Sequence, residues 1–371
     1  MRKVLLPLIW MALAGWGTLA GASSCEQIRS WPAWVDTQQR MLSAQGRIID
    51  HSDPRLITTS EGQSYAMFFA LVHNDRELFQ RLVQWTQDNL ASGDLSSNLP
   101  AWLWGRQSDG QWGVLDPNSA SDSDLWIAYS LLEAGRLWKE RGYTTMGNQL
   151  LAQMGAREIF DLPGFGAMML PAPIGFTEKG YWRLNPSYLP PQLVQRAAIE
   201  RNHPWQALAR DTPRFLIETA PKGISPDWIS WTDQKRFEPT DERQTIGSYD
   251  AIRVYLWIGM LAKDAPQADK LRAHFARIGD FVNEQGQVAE KISLVNATGS
   301  SWAGPGFSAA LLPLLQGHAL EAQLLANVER GLESKMGYYN QMLTLFGHGW
   351  FEQRYRFDAD GRLQPAWVDC Q

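Results

Sequence analysis

The sequence lacks several residue patterns that would assign it to common classes of enzyme. It has six histidines, and no two of them have the spacing of metal ligands. It contains no H-E-x-x-H, G-x-S-x-G or Walker-loop motif. These absences argue against a zinc hydrolase, a serine hydrolase with a nucleophile elbow and a P-loop enzyme. We expect neither a cofactor nor a metal.

The sequence also lacks an excess of positive charge and a long apolar run. The formal net charge is −5, and the chain has no basic tract. This charge argues against nucleic acid or an anionic lipid surface as a partner. No apolar run is long enough to span a membrane, and no stretch rich in Gly, Ser or Pro marks a domain boundary.

The first 22 residues have the pattern of a secretory signal peptide. Arg2 and Lys3 precede an apolar run from Val4 to Ala14, and Ala20-Gly21-Ala22 offers a cleavage site. We therefore expect residues 1–22 to be removed and residues 23–371 to form a single domain. The expected location is the periplasm or the medium.

The only two cysteines, Cys25 and Cys370, lie near the two ends of the exported chain. In an oxidising compartment such a pair can form a disulfide that joins the termini. The alternative is two unpaired thiols near frayed ends. We favour the disulfide, because closing so long a loop constrains the unfolded chain.

Helical periodicity recurs along the rest of the sequence, and tryptophan is unusually common. The 18 Trp outnumber the 14 Phe and 10 Tyr, a surplus that suits a cleft stacking sugar rings. The pattern predicts an all-α domain in which long loops carry the site. The predicted helices are roughly 26–44, 61–73, 75–92, 122–140, 144–159, 188–200, 203–219, 248–262, 266–282, 305–315, 318–333 and 337–346. Short strands are predicted within 167–176 and 227–233.

Glu61 is the single carboxylate at the start of an otherwise apolar helix, in "TTSEGQSYAMFFAL" (58–71). Ser60 and Gln63 fit a capping box, with Ser60 as N-cap and Gln63 at the third helical position. Glu61 would then interact favourably with the helix dipole. This structural role is sufficient to explain Glu61 when it is considered alone.

Two more apolar helices begin in the same way. Asp122 and Asp124 open one of them, with Ser119 or Ser121 as the expected cap. Asp250 lies in the first turn of the other. A favourable interaction with the helix dipole is sufficient to explain Asp122 and Asp124, and an ion pair with Arg253 is sufficient to explain Asp250. A calcium site at Asp122 and Asp124 would need further ligands. An EF-hand loop supplies them, but this sequence does not.

The start of the helix that carries Asp250 reads "IGSYDAIRVYLW" (246–257). Ser248 is its expected cap, and Arg253 is a partner three residues after Asp250. Convergence of the three helix starts would bring Glu61, Asp122 and Asp250 into one cleft. Glycoside hydrolysis needs such a set, with one protonated acid and one ionised base. The acid would need desolvation and nearby negative charge to outweigh the helix dipole.

The segment "ASDSDLWIAYSLLEAGRLW" (120–138) resembles the signature of glycoside hydrolase family 8. Ser123 departs from the usual Gly or Ala of that signature. "LPAWLWG" (99–105), "SYDAIRVYLWIGM" (248–260), "GFSAALLPLL" (306–315) and "YYNQMLTLFGHGW" (338–350) are similar to the same family in order and spacing. Within the family, the chain most resembles periplasmic endoglucanases encoded with bacterial cellulose synthases. The signature is matched by Ala120, Ser121, Asp122, Asp124, Ile127, Ala128, Ser130, Ala134 and Trp138.

The resemblance implies an (α/α)6 barrel that hydrolyses β-1,4-glucan with inversion. It assigns Glu61 as general acid, Asp250 as general base and Asp122 as the residue that binds and distorts the sugar. It also implies an endoglucanase that acts on cellulose, with a cellulose synthase and export complex as partner. Inversion requires the acid and base carboxyls to lie roughly 6.5–9.5 Å apart.

The remaining candidate residues surround these carboxylates. We expect Trp102 and Trp104 to point to opposite sides of an extended segment, so that one of them, Trp102 by the family pattern, faces the sugar. Arg253 is expected to keep Asp250 ionised. The predicted substrate contacts are Trp102, Trp104, Asp124, Tyr249, Arg253, Tyr338 and Tyr339. For each aromatic residue, a packing role is an equal alternative.

Two other functions are compatible with the sequence. The same fold could act on chitosan, xylan or mixed-linkage glucan, although an aromatic and not strongly acidic cleft favours a neutral glucan. The chain could also bind glucan without cleaving it, but such a protein would need no paired acid and base.

Overall fold

The computed structural model describes residues 25–26, 28–178 and 180–370. The predicted signal peptide lies outside these residues. Cys25 and Cys370 form the predicted disulfide, with their Cα atoms 5.6 Å apart. No helix in the described part of the chain is both long and apolar enough to cross a membrane.

Six helices form the inner layer of the structure. They are buried because they lack a continuous polar face: every residue of α2 from Gly62 to Val72 is buried, as is every residue of α8. A helix that is apolar on all sides must be covered on all sides. The inner helices are α2 (Ser60–Val72), α4 (Ser121–Trp138), α6 (Pro191–Glu200), α8 (Ala251–Gly259), α11 (Pro305–Leu311) and α13 (Tyr338–Phe351).

The remaining helices form an outer layer and have one polar face. In α3, for example, Leu78, Phe79, Leu82 and Val83 are buried at helical spacing and the charged residues face outward. The outer helices are α1 (Pro32–Met41), α3 (Arg76–Leu90), α5 (Arg141–Arg157), α7 (Trp205–Thr219), α9 (Ala268–Phe275), α10 (Arg277–Gln285) and α12 (Glu321–Leu332). The helices α9 and α10 are separated by Ala276 alone and occupy one outer position.

The inner helices form a closed ring. Each contacts the next along the chain, and α13 contacts α2. Each inner helix is followed by the outer helix that packs against it, except that α13 packs against α1. The helices α11 and α13 approach closely at Gly347, where a Cβ atom would lie 1.9 Å from Ala309 O. The fold is the predicted (α/α)6 barrel.

Short antiparallel strands occupy the long loops between the helices. Three-stranded sheets form from β1–β3 and from β10–β12, a four-stranded sheet from β6–β9, and hairpins from β4–β5 and β13–β14. The strands are β1 (Thr58–Thr59), β2 (Leu103–Arg106), β3 (Trp112–Asp116), β4 (Ile159–Leu162), β5 (Gly166–Met169), β6 (Thr177–Glu178), β7 (Tyr181–Leu184), β8 (Ile229–Thr232), β9 (Phe237–Glu238), β10 (Ile246–Gly247), β11 (Ile292–Ser293), β12 (Thr298–Gly299), β13 (Tyr355–Phe357) and β14 (Leu363–Pro365). Both predicted strand segments contain a strand.

Candidate active site

Glu61 is the second residue of the inner helix α2. The N-cap is Thr59, whose side-chain oxygen accepts a hydrogen bond from a backbone N–H of the first turn at 3.1 Å. Ser60 is the first helical residue, and its N–H donates to Trp102 O at 3.0 Å. The predicted capping box of Ser60 and Gln63 is therefore wrong. The helix start is fixed by a threonine one residue earlier and by pairing with the segment that leads into β2.

The Arg253 guanidinium lies between the three predicted carboxylates. Its Nη1 atom is 2.7 Å from Glu61 Oε2 and 2.9 Å from Asp122 Oδ2, and its Nη2 atom is 2.5 Å from Asp250 Oδ1. The Arg253 side chain is only 3% exposed. The carboxylates come from the starts of α2, α4 and α8, so the closed ring brings together residues that are far apart in sequence.

Burial raises the pKa of Glu61 to about 7, although 21% of its side chain is exposed at the mouth of the barrel. The positive charge of Arg253 opposes this shift, and the negative charges of Asp122 and Asp250 reinforce it. The Tyr338 hydroxyl, 3.1 Å from Glu61 Oε1, lowers the pKa. Glu61 is thus held near the balance between its neutral and ionised forms at pH 7, as a general acid requires.

Asp122 is buried at the start of α4, with its Oδ1 atom accepting a hydrogen bond from Ser123 N at 2.7 Å. Burial raises the pKa of Asp122, and the neighbouring guanidinium opposes the shift. The predicted cap by Ser119 or Ser121 is wrong. The N-cap is Ala120, which has no side-chain acceptor.

Asp124 does not face the cleft. Its side chain is fully buried beside the carboxyl of Glu158, and burial and the neighbouring Glu158 charge both raise the pKa of Asp124. Ser119 Oγ donates to Glu158 Oε1 at 2.6 Å. Such a carboxyl pair must hold a proton, and burial raises the pKa of both groups, that of Glu158 to about 8. The predicted substrate contact of Asp124 is therefore wrong, because the residue is fully buried beside Glu158, which follows the outer helix α5.

Asp250 occupies the N-cap of α8, but its side chain makes no capping hydrogen bond. The backbone donors of this helix start are accepted by Asp227, which comes from a separate loop. The Ser248 hydroxyl donates to Asp227 Oδ2 at 2.5 Å. The predicted cap by Ser248 is therefore wrong. The Asp250 carboxylate instead faces Arg253, as predicted.

Tyrosines surround the carboxylates. Tyr338 contacts Glu61, and the Tyr339 hydroxyl donates to Tyr249 O next to Asp250. The Tyr249 side chain is 43% exposed and packs against the Tyr339 ring. The three predicted tyrosines therefore lie at the candidate site, and Tyr249 has the exposed ring.

Trp102 and Trp104 lie beside the strand that leads to Glu61. Both indoles are half-buried, and the residue between them, Leu103, is buried. Trp102 precedes β2, and the register of β2 against β3 shifts between Leu103 and Trp104. The opposite orientation of the two indoles therefore stays a prediction. Trp104 also stacks on the exposed Trp112, with ring centroids 5.4 Å apart.

Three residues of the site were missed by the sequence reasoning. The Tyr65 hydroxyl lies 3.0 Å from Arg253 Nη1, and the Arg253 guanidinium lies over the Tyr188 ring at 5.7 Å. Asp227 is the third. Tyr65 lies one helical turn after Glu61, and this spacing could have predicted that the two side chains lie on the same face of α2. Tyr188 and Asp227 lie in loops, where no periodic pattern indicates their contacts.

Metal ligands are not grouped in the described residues. Across 25–26, 28–178 and 180–370, no cluster of three or more His, Cys, Asp or Glu side chains is arranged to hold a metal ion.

Known proteins resemble this chain in sequence and in fold. The model of glycosyl hydrolases family 8 matches residues 10–353. The chain belongs to glycosyl hydrolase family 8. Among family 8 relatives, it is 48% identical to an endoglucanase of Salmonella typhi, covering 96% of this chain and 97% of that protein. It is 46% identical to an endoglucanase of Escherichia coli K12, and the match covers 94% of this chain and 95% of that protein. The structure also matches the crystal structure of an endo-1,4-D-glucanase from Vibrio fischeri ES114, with a TM-score of 0.85 and 44% sequence identity. The match covers 91% of this chain and 100% of that chain.

Proposed function

We propose that this chain is an endo-β-1,4-glucanase that hydrolyses internal bonds of cellulose or a related β-1,4-glucan with inversion of configuration. The names of its relatives support the reaction class. The observation that carries the proposal is the set of three carboxylates around Arg253, one of them with a pKa raised to about 7. An acid and a base with different environments are what this chemistry requires.

In the proposed reaction, Glu61 donates its proton to the glycosidic oxygen as the bond to the anomeric carbon breaks. Asp250 accepts a proton from a water molecule whose oxygen attacks that carbon from the opposite face. The products are two shorter chains, and the new reducing end has the inverted configuration. Transfer of the proton from Asp250 to solvent and protonation of Glu61 restore the starting state.

The assignment of acid and base follows from the local environments. Desolvation and two neighbouring carboxylates favour the protonated form of Glu61. Asp250 is 25% exposed, so water can reach it, and its carboxylate lies 2.5 Å from Arg253 Nη2. The two carboxylates contact different nitrogens of one guanidinium, and inversion requires enough separation between them for a water molecule.

Asp122 and the exposed rings supply the proposed contacts with the sugar. Asp122 lies beside both Glu61 and Arg253, where a carboxylate can accept hydrogen bonds from the hydroxyls of a sugar ring. Tyr249 and Trp102 offer flat apolar surfaces on which sugar rings can stack, whereas the Trp104 ring is already covered by Trp112 and Arg47.

Export and cooperation with cellulose synthesis are part of the proposal. The signal-like segment 1–22 supports export, and the resemblance to endoglucanases encoded with cellulose synthases supports action on newly made glucan. N-terminal sequencing of the periplasmic protein should give a chain that begins at Ser23. Recovery of a chain that begins at Met1 would contradict export by cleavage.

The reaction is tested by viscosity and reducing ends measured together on carboxymethyl-cellulose. The wild-type chain should lower the viscosity steeply while releasing few new ends, because internal cuts shorten a polymer faster than end cuts. Glu61→Gln should lose at least 10²-fold in rate, since amide nitrogen cannot supply the proton. Proton NMR of the first products should show the inverted anomer.

Glu77→Gln is a matched control, because Glu77 is the second residue of the outer helix α3 and is exposed. It should retain the wild-type rate. If carboxymethyl-cellulose is not cleaved, chitosan, xylan and mixed-linkage glucan are tested in the same way. Binding of oligosaccharides with no new reducing ends on any of the four polymers would favour a glucan-binding protein instead.

A further inference from the structure

Asp227 is a buried carboxylate that contacts the segment carrying Asp250. It lies in the loop before β8 and is 9% exposed. Its Oδ1 atom accepts hydrogen bonds from the N–H groups of Ser248, Asp250 and Ala251 at 2.7, 3.1 and 2.8 Å. Its Oδ2 atom accepts the Ser248 hydroxyl at 2.5 Å. Four donors from one turn therefore converge on a residue more than twenty positions earlier in the chain.

These contacts replace the usual cap of α8. The first N–H groups of a helix have no partner within the helix and are commonly accepted by the side chain of the N-cap residue. The N-cap here is Asp250, and its side chain makes no such bond. A carboxylate that capped its own helix would be turned away from the cleft. Because Asp227 accepts these donors, the Asp250 carboxylate is left to face Arg253.

The Asp227 loop is itself fixed to α8 and to the strand before it. Asp227 N donates to Ile246 O at 2.8 Å, and Ser225 N donates to the Tyr255 hydroxyl at 2.9 Å. The two segments approach so closely that a Cβ atom on Gly247 would lie 2.3 Å from Ser225 O. The loop thus holds the start of α8 from outside the helix.

We propose that Asp227 is a positioning residue for Asp250: it accepts the free backbone donors at the start of α8 and so keeps the Asp250 carboxylate directed at the reacting water. This inference rests on the proposed function, in which Asp250 is the general base. Asp227 itself touches neither the sugar nor the water. Its substitution should therefore affect the rate of the chemical step and leave substrate binding intact.

The test compares kcat and KM on a soluble β-1,4-glucan oligosaccharide. Asp227→Ala should lower kcat by about 10–100-fold, because a small displacement of a reacting group has an effect of this order. KM should stay within roughly twofold of the wild type. Asp227→Asn keeps an oxygen that can accept the three N–H groups, and the Ser248 hydroxyl can turn to accept from the new amide. This variant should keep kcat within about threefold of the wild type.

Asp211 provides a matched control. It is 8% exposed, and its carboxylate also accepts a backbone N–H, that of Ala167 at 3.0 Å, but it lies on the outer helix α7. Asp211→Ala should lower the melting temperature without changing kcat. A loss of kcat in Asp211→Ala equal to that in Asp227→Ala would overturn the inference, since general destabilisation would then explain both.

Asp250→Asn separates this inference from the proposed function. If Asp250→Asn is inactive and Asp227→Ala has the kcat of the wild type, the positioning role is wrong and the general base stands. If Asp250→Asn is fully active, the proposed base itself is wrong, and with it the inference. Should Asp227→Ala not fold, Asp227→Glu replaces it. That variant keeps the charge but shifts it by one methylene, so an unchanged kcat would overturn the positioning role.

Discussion

Arg253 Nη1 lies 2.7 Å from Glu61 Oε2, although 192 residues separate the two in the chain. The same nitrogen contacts Asp122, so one buried positive charge is shared by carboxylates from different inner helices. Breaking a buried ion pair is costly, because the remaining charges lose their partner without regaining full hydration. Arg253 therefore connects the stability of the barrel mouth with the protonation of the proposed acid.

Replacing Arg253 should destabilise the protein in a pH-dependent way. We expect Arg253→Met to lower the free energy of unfolding by about 3–5 kcal/mol at pH 8. The loss should be smaller at pH 5, because the pKa of Glu61, raised to about 7, allows that group to become neutral, and the raised pKa of Asp122 acts in the same direction. Urea unfolding at the two pH values measures the difference.

Arg214→Met is the control for that experiment. Arg214 pairs with Glu218 on the surface, with side chains 50% and 44% exposed, and such pairs contribute at most about 1 kcal/mol. Equal losses at pH 5 and pH 8 for Arg253→Met would show that the buried carboxylates do not take up protons.

The rate of hydrolysis should fall as the pH rises through about 7. Glu61 acts in its protonated form, and its pKa is raised to about 7. We therefore expect kcat/KM to decrease about tenfold per pH unit well above pH 7. Initial rates between pH 4 and pH 10 on one oligosaccharide would show this alkaline limb. A profile that stays flat to pH 9 would argue against Glu61 as the acid.

The buried pair of Asp124 and Glu158 should make the fold less stable in alkali. The pKa of Glu158 is raised to about 8 in the folded state, above its ordinary value near 4.5. A raised carboxyl pKa stabilises the folded state fully below the unfolded pKa, and this stabilisation is lost as the pH rises towards 8. Glu158→Gln, which needs no proton to donate a hydrogen bond, should therefore melt at a higher temperature than the wild type at pH 9.

The comparison at pH 4 completes that measurement. There both carboxyls are protonated in the wild type, so the advantage of Glu158→Gln should disappear. An equal change in melting temperature at pH 4 and pH 9 would contradict a proton held between Asp124 and Glu158.

Removing the disulfide should lower stability and leave catalysis unchanged. The bridge between Cys25 and Cys370 encloses nearly the whole folded chain and is not among the contacts of the candidate site. We expect the double variant Cys25→Ser, Cys370→Ser to lose about 2–4 kcal/mol of unfolding free energy. Its kcat should match that of the oxidised wild type. Unaltered urea unfolding in the double variant would show that the link does not constrain the unfolded chain.

The barrel and its main carboxylates could be predicted because their signals are strong and local. The uninterrupted apolar residues of α2 and α4 indicate buried helices, and Glu61 and Asp122 stand at their starts. The order of the motifs then supplied the family and its fold. No periodic pattern, however, shows that six such helices close into a ring, since closure depends on contacts such as that of Gly347 with Ala309.

The capping contacts were the least predictable part of the site. Several side chains can cap a helix, and the pairing of β1 with β2 selects Thr59 over Ser60. Asp227, which caps α8, lies in another loop, so the sequence of the helix start does not indicate which residue caps it. Asp124 is buried beside Glu158, which lies 34 residues later in the chain. An acidic residue at the start of a helix does not indicate such a neighbour.

The position of α1 has a consequence for the order in which the protein can assemble. The helix α1, near the start of the described chain, is the outer partner of the last inner helix, α13, and Cys25 and Cys370 join the two ends covalently. During synthesis from the N-terminus, α1 therefore cannot pack against its partner until α13 (Tyr338–Phe351) has emerged. The ring closes last, and with it the cluster around Arg253 gains Tyr338. An enzyme built in this way acquires its complete site only when its entire length has arrived in one compartment.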